Sequence, residues 1–221
     1  MTKPRQSYGT DSPERDRCYT PPYAVDILIP FLPRGAVIWE SACGGNHIVW
    51  QLRHHGYTVV GTDIEHGIDA LSYEPPCYDI QVTNPPYQAA LKNRWIEQSY
   101  LRRKPFALLM QLDTLGTSAA NYFARYGVEI IIPDKRIDFF MPDAGYQDNG
   151  AAFKTVWFTH GLGIGQQLNF VEMDKPPAAE VVASVERLRA RHAGERQPVE
   201  VSASGPMVEI GDTVWRQGVL V

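Results

Sequence analysis

The sequence predicts an α/β fold built on a doubly wound, mostly parallel sheet. Three observations predict it. Apolar, β-branched runs of strand length alternate with longer segments of helical spacing across residues 19–160. The first strand, residues 36–40, opens into the small residues Ser41-Ala42-Cys43-Gly44-Gly45-Asn46 and then a helix over about 47–55. The next strand, residues 57–63, ends in the carboxylate of Asp63. Small residues let a ligand approach the backbone, and a helix N-terminus points N–H donors at it. An acid at the end of the second strand accepts from ribose hydroxyls.

Composition sets the outer limits. A chain of 221 residues suffices for one domain with a full core and an appendage. Its apolar share of 44% and charged share of 21% are those of an ordinary globular protein. A formal net charge of -4 argues against a blanket of positive charge for nucleic acid, though not against a local basic face. Three unevenly spaced cysteines, Cys18, Cys43 and Cys77, fit a reducing cytoplasm better than a disulfide scaffold. No secretory signal is visible and no apolar run approaches membrane-spanning length, so no membrane partner is expected.

The elements follow in order. Residues 1–18 are polar and charged and read as a flexible N-terminal arm, with phosphate contact as the functional alternative. Tyr19-Thr20-Pro21-Pro22 opens a helix whose Ala24, Val25, Ile27, Leu28 and Phe31 share a face, with Thr20 as N-cap and Pro21 in the first position. His54 and His55 point different ways on the next helix, which suits its C-terminus and not a metal; no metal site is expected. Asp69, in Gly67-Ile68-Asp69-Ala70-Leu71, reads as a helix cap. Residues 78–83 form a buried strand and 88–100 a helix. Lys92, Arg94, Arg102, Arg103 and Lys104 line that helix and its end, as a solvated face or a phosphate-facing patch. A strand over 106–111, a helix over 117–126 and a strand over 128–132 come next. Residues 136–140 and 155–160 are expected to close the sheet as an antiparallel pair. The polar, glycine-rich loop 142–152 lies between them. Gly161, Gly163 and Gly165 make a linker. Residues 166–221 then form an appendage of one helix, 178–192, and a hairpin around Gly211-Asp212.

The chemistry concentrates in Asn84-Pro85-Pro86-Tyr87, straight after the 78–83 strand. Pro85 pushes Asn84 out of the helical region, and neither proline donates an N–H. The loop is therefore stiff, extended and rich in carbonyls, at the strand end where open α/β sheets bind ligands. An exocyclic amine on a nucleobase is a poor nucleophile because its lone pair is delocalised into the ring. Two acceptors on its hydrogens, the Asn84 side-chain oxygen and the Pro85 carbonyl, would draw them out of plane and free that pair. Tyr87 offers a face on which a planar base stacks.

This loop resembles the Asn/Asp-Pro-Pro-Tyr/Phe motif of S-adenosylmethionine-dependent amino methyltransferases. The order of flanking motifs over residues 19–160 resembles the N6-adenine DNA methyltransferases, in the γ-like order and the small phage and prophage type associated with restriction-modification. The resemblance implies a Rossmann-like methyltransferase domain over 19–165, with seven strands and the last pair reversed. It implies that Tyr19, Thr20 and Pro21 contact the carboxylate end of the cofactor. Glu40 then meets its ammonium, and the loop of Ala42, Cys43, Gly44 and Asn46 cradles it. Asp63, with Glu65 in reserve, takes the ribose, beside Ile64; Asp69 and Ala70 cap the adenine. Asn84 counts with both the cofactor set and the catalytic set Asn84, Pro85, Pro86 and Tyr87. Phe139 is the first choice to sandwich the extruded base against Tyr87, with Phe140 and Tyr146 behind it. Family members carry Glu-Pro-x-x-Gly-x-Gly in the cradle; here Ser41 replaces the proline and Asn46 the last glycine. Asn tolerates the left-handed backbone, so the turn is expected to survive. Pro76-Cys77 lies before the fourth conventional strand, on the wrong side of the sheet for the nucleophile of cytosine-carbon methyltransferases.

DNA is thus the expected partner, methylated at adenine with base flipping. RNA adenine, a protein glutamine, or an inactive cofactor-binding DNA-binding or anti-restriction module remain the alternatives. The C-terminal segment, outside the resemblance, is a surface through which homo-oligomers could form.

Overall fold

The structure, a computed structural model, describes residues 17–148 and 153–194 and the backbone of three strands beyond. The strands are β1 Val37–Glu40, β2 Thr58–Gly61, β3 Ile80–Thr83, β4 Phe106–Gln111, β5 Glu129–Pro133, β6 Phe140–Met141, β7 Gly145–Tyr146, β8 Thr155–His160 and β9 Leu168–Val171. The helices are α1 Pro22–Asp26, α2 His47–His54, α3 Ala89–Leu101, α4 Ala120–Tyr126 and α5 Ala178–Arg191. Seven strands form one sheet in the order β2-β1-β3-β4-β8-β5-β9. The doubly wound α/β class is as the sequence predicts.

Alternation along the strands explains the two layers of core. In β4, Ala107 and Leu109 face one layer, with Ile48, Val49 and Leu52 of α2 and Val181 of α5. Phe106, Leu108 and Met110 face the other, with Ile96 and Tyr100 of α3 and Phe123 of α4. Burial of both faces is why these strands read as continuous apolar runs rather than alternating ones.

The closing strands differ from expectation. Only β8 runs against its neighbours, antiparallel to both β4 and β5. Residues 136–140 do not enter the sheet. Phe140 and Met141 pair instead with Tyr146 and Gly145 in a two-stranded ribbon. The edge position goes to β9, parallel to β5. Gly161, Gly163 and Gly165 all have positive φ and turn the chain from β8 into β9. Residues beyond 165 are therefore not wholly an appendage. β9 completes the sheet, and Val181 of α5 packs in the same core as α1 and α2. A C-terminal ribbon follows, β10 Met207–Ile210, β11 Thr213–Arg216 and β12 Val219–Leu220; β10 and β11 pair as a hairpin. Gly211 and Asp212 themselves, the arm over 1–16 and residues 149–152 of the 142–152 loop lie outside the described residues.

In the order β2-β1-β3, the chain leaves β1 toward β2 and returns on β1's other side as β3. The sheet's switch point therefore lies between β1 and β3. The loops after these two strands are the two the sequence singled out.

Candidate functional site

The loop after β1 is held open by its own backbone. Asn46 adopts the left-handed conformation, φ 63° and ψ 13°, immediately before α2. Its N–H donates to the Cys43 carbonyl at 2.6 Å. Asn thus supplies the conformation that glycine supplies elsewhere. Ser41 has a partner of its own: Gln81 of β3 donates to its hydroxyl at 2.8 Å, and Ser99 of α3 donates back to Gln81 at 3.0 Å. That buried relay ties the cradle to the neighbouring strand.

Two carboxyl groups sit at its floor. Glu40 is 1% exposed and accepts from the Ala42 N–H at 3.2 Å. Burial raises its pKa to about 8; Thr83 and the Ala42 N–H offset this in part, and Asp63 adds to it. Asp63 is 6% exposed and accepts from the Gly44 N–H at 2.7 Å and the Glu65 N–H at 2.9 Å. Its role visible in the structure is to lock the β1 and β2 loops together. Glu65, its reserve, points outward and pairs with Arg17 at 2.8 Å. Ile64 is 70% exposed between them. Asp69 accepts from the Leu71 N–H at 2.9 Å within a turn; no helix follows, so it is not the helix cap that the sequence predicts. Ala70 is buried, and Arg102 grips its carbonyl.

The segment leading into α1 crosses this floor. Tyr19 and Phe140 exchange backbone hydrogen bonds of 2.8 and 3.0 Å, an isolated antiparallel bridge. The Tyr19 ring rests on the glycines; a Cβ on Gly45 would stand 3.1 Å from it. His47 packs beside Tyr19, Trp50 and the edge of Phe140, and burial lowers its pKa to about 4. Thr20 is not the N-cap. Pro21 takes that position, with no side-chain cap, and Pro22 starts a helix of only five residues. The Thr20 side chain is instead 2% exposed with its Oγ1 unpartnered.

On the other side of the switch point, Asn84 is pinned at both ends. Its Nδ2 donates to the Cys18 carbonyl at 3.0 Å, and its Oδ1 accepts from the Tyr87 hydroxyl at 2.7 Å. Pro85 is buried and Pro86 half-buried. Tyr87 is 5% exposed and takes two rings edge-on, Phe139 at 6.4 Å and Phe153 at 5.7 Å between centroids. Phe139 is a core residue, 3% exposed, while Phe140 is half-buried against Tyr146. Tyr146 in turn meets the Tyr23 hydroxyl at 3.0 Å.

The structure thus gathers Tyr19, the 41–46 loop, Asp63, Asn84 and Phe140 through direct contacts. Asp69 and Ala70 belong to the neighbouring turn: Ala70 packs in a core cluster with Trp39, Val60, Tyr78 and Trp95, and Arg102, just after α3, holds its carbonyl. Phe153 against Tyr87 was missed, and no local pattern marks it, because the two meet only through the fold. Two cations of the basic run after α3 are tied into the fold, while Arg103 between them is exposed. Arg102 binds Ala70 and Tyr73 carbonyls and covers Trp39; Lys104 binds the Tyr78 carbonyl and covers its ring. Among the described residues no group of His, Cys, Asp and Glu could hold a metal, and no helix is long and apolar enough to cross a membrane.

No protein-family profile matches the chain, and no curated protein matches it. Solved structures resemble it in chain trace. A Pyrococcus horikoshii protein assigned as an RNA methyltransferase superposes with a TM-score of 0.47 at 10% identity, over 70% of this chain and 90% of that one. A TehB-like SAM-dependent methyltransferase from Corynebacterium glutamicum gives 0.38 at 16%, over 62% and 86%. A precorrin-6y C5,15-methyltransferase from Geobacter metallireducens gives 0.37 at 11%, over 61% and 84%.

Proposed function

We propose that this chain is an S-adenosylmethionine-dependent methyltransferase acting on the exocyclic N6 of adenine in DNA. The observation that carries the reading is the pairing across the switch point. A glycine-bearing cradle with a buried acid follows β1, and Asn84-Pro85-Pro86-Tyr87 follows β3.

The donor set fits the cofactor. Glu40 is a buried carboxyl with no cationic side chain among its partners, suited to an ammonium. The unpartnered Thr20 hydroxyl suits a carboxylate. Asp63 retains acceptor capacity for ribose hydroxyls beyond its two backbone donors. Ile64 presents an exposed apolar side chain beside it for the adenine. When bound, the cofactor supplies a methyl group on a positively charged sulfur.

The chain's own residues then orient and polarise. Asn84 Oδ1 keeps its Tyr87 hydrogen bond and offers its remaining lone pair to the target amine, while the Cys18 carbonyl keeps the amide from rotating. The base must leave the duplex stack, at about a few kcal/mol. Phe153, less buried than Phe139, is the ring that yields its place on Tyr87.

The test is labelled methyl transfer to duplex DNA, RNA and protein in parallel, with nuclease digestion to identify the product. N6-methyladenine in DNA is the expected product. Label found only in RNA, only in protein, or in none of the three overturns the proposal.

A further inference from the structure

We propose that Glu40 is protonated in the free protein at neutral pH and releases that proton to solvent when the ammonium group of the cofactor binds. The inference rests on the proposed cofactor and adds a property of its binding: it is coupled to one proton.

The geometry comes first. Glu40 ends β1 at 1% exposure, with one backbone donor, Ala42 N–H, at 3.2 Å. The 41–46 loop offers Cys43, a thiol whose pKa is itself raised by burial and then by Glu40 and Asp63. The turn after β2 offers Asp63, whose two oxygens accept from backbone N–H groups, and beyond it Glu65. The end of β3 offers Thr83, a hydroxyl without charge. The 17–20 segment offers Arg17, which is spent on Glu65 at 2.8 Å, and the neutral Tyr19. The neighbours facing Glu40 therefore carry negative charge or none. A second buried carboxylate beside Asp63 is disfavoured both by lost hydration and by like charge. The direction of its pKa, raised to about 8 with burial as the largest cause, agrees with this.

A cation placed against Glu40 inverts that balance. The ammonium makes the ionised carboxyl the favoured form, the O–H bond breaks, and the proton passes to buffer. The ammonium keeps its own charge, so the complex gains one charge pair and loses one proton. Part of the binding free energy goes into that ionisation, so affinity rises with pH until the free protein's Glu40 is itself ionised.

The experiment is titration calorimetry at pH 6 to 7, where an α-ammonium remains charged, in buffers of different ionisation enthalpy. The ligands are S-adenosylmethionine, S-adenosylhomocysteine and 5′-methylthioadenosine, which lacks the amino-acid portion. Wild-type protein should release about one proton per molecule with the first two ligands and none with the third. The dissociation constant of the first two should fall about tenfold from pH 6 to pH 7. Glu40→Gln should bind them more weakly, with no proton release and no pH dependence. The ligand comparison on wild-type protein decides the matter even if Glu40→Gln fails to fold. Binding with equal proton release for all three ligands, or with none, overturns the coupling and leaves the cofactor assignment standing. Absence of binding by any of the three overturns the cofactor assignment and the coupling with it.

Discussion

The Tyr87 hydroxyl donates to Asn84 Oδ1 at 2.7 Å, so the residue proposed to stack a base also holds the residue proposed to polarise it. With the Asn84 amide nitrogen on the Cys18 carbonyl at 3.0 Å, the side chain has one orientation. Asn84→Ala should therefore lower single-turnover methyl transfer by about a hundredfold or more, the scale of losing one preorganised polar contact to the reacting group. Cofactor affinity by calorimetry should stay within about threefold. Turnover at the wild-type rate would remove Asn84 from the chemistry.

Tyr87→Phe isolates the second half of that pair. The ring and its Phe139 and Phe153 contacts remain, and only the hydroxyl bond is lost. Turnover should fall about fivefold, the worth of one hydrogen bond of about 1 kcal/mol. Substrate affinity by fluorescence anisotropy should hardly change.

Asp63→Ala removes one acceptor from two backbone N–H groups at 2.7 and 2.9 Å. Leaving them partly buried and unpaired should cost about 2 kcal/mol of stability in urea unfolding. Cofactor binding should weaken at least tenfold as the ribose acceptor goes. Asp63→Asn keeps one acceptor oxygen but sets its NH2 group against the other N–H, so it should recover only part of the stability.

Gly45→Ala tests the strap. Its Cβ would meet the Tyr19 ring at 3.1 to 3.2 Å, so the ring must shift by a few tenths of an ångström. The variant should be destabilised by about 1 kcal/mol, as for mild overpacking. Tyr19→Ala in the same chain should relieve most of that penalty, a coupling readable in a double-mutant cycle.

Stability should peak as a plateau in mildly acidic solution. His47 takes its proton near 6.5 when unfolded and only at about 4 when folded, because burial opposes the charge. Stability therefore falls as pH drops through that interval, by at most about 3 kcal/mol. Glu40 behaves oppositely: it holds its proton up to about 8 when folded and only to 4.5 when unfolded. Its contribution is full below 4.5 and is lost as pH rises toward 8. Between about 4.5 and 6.5 the two slopes oppose each other. Above that interval only Glu40 acts, so urea midpoints should decline toward pH 8, and Glu40→Gln should abolish that alkaline decline.

Much of the fold was legible because local pattern and burial agree. The β4 run Phe-Ala-Leu-Leu-Met-Gln is apolar on both faces, and both faces are covered. The left-handed turn at Asn46 was legible because the resembled motif carries glycine there and Asn tolerates the same backbone. Residues 136–140 misled because an apolar, aromatic run has strand propensity wherever it lies. Pairing with Tyr19 and Tyr146 gave Phe140 a ladder outside the main sheet. β9 was hidden for the converse reason: at a sheet edge its Leu168 and Phe170 stay exposed, and Asn169 and a preceding Gln-Gln dilute the pattern. At the site, Asn84 and Glu40 follow from strand ends and motif order. The ties to Cys18 and Phe153 join residues 66 or more positions apart, which no window of sequence contains.

Arg102 and Lys104 donate to the carbonyls of the 70–78 turn, so the fold fixes their positions while each keeps its charge. With the exposed Arg103 between them they form a small cationic corner at the end of α3. A polyanion docking on that side would displace counterions, and its grip would loosen as ionic strength rises.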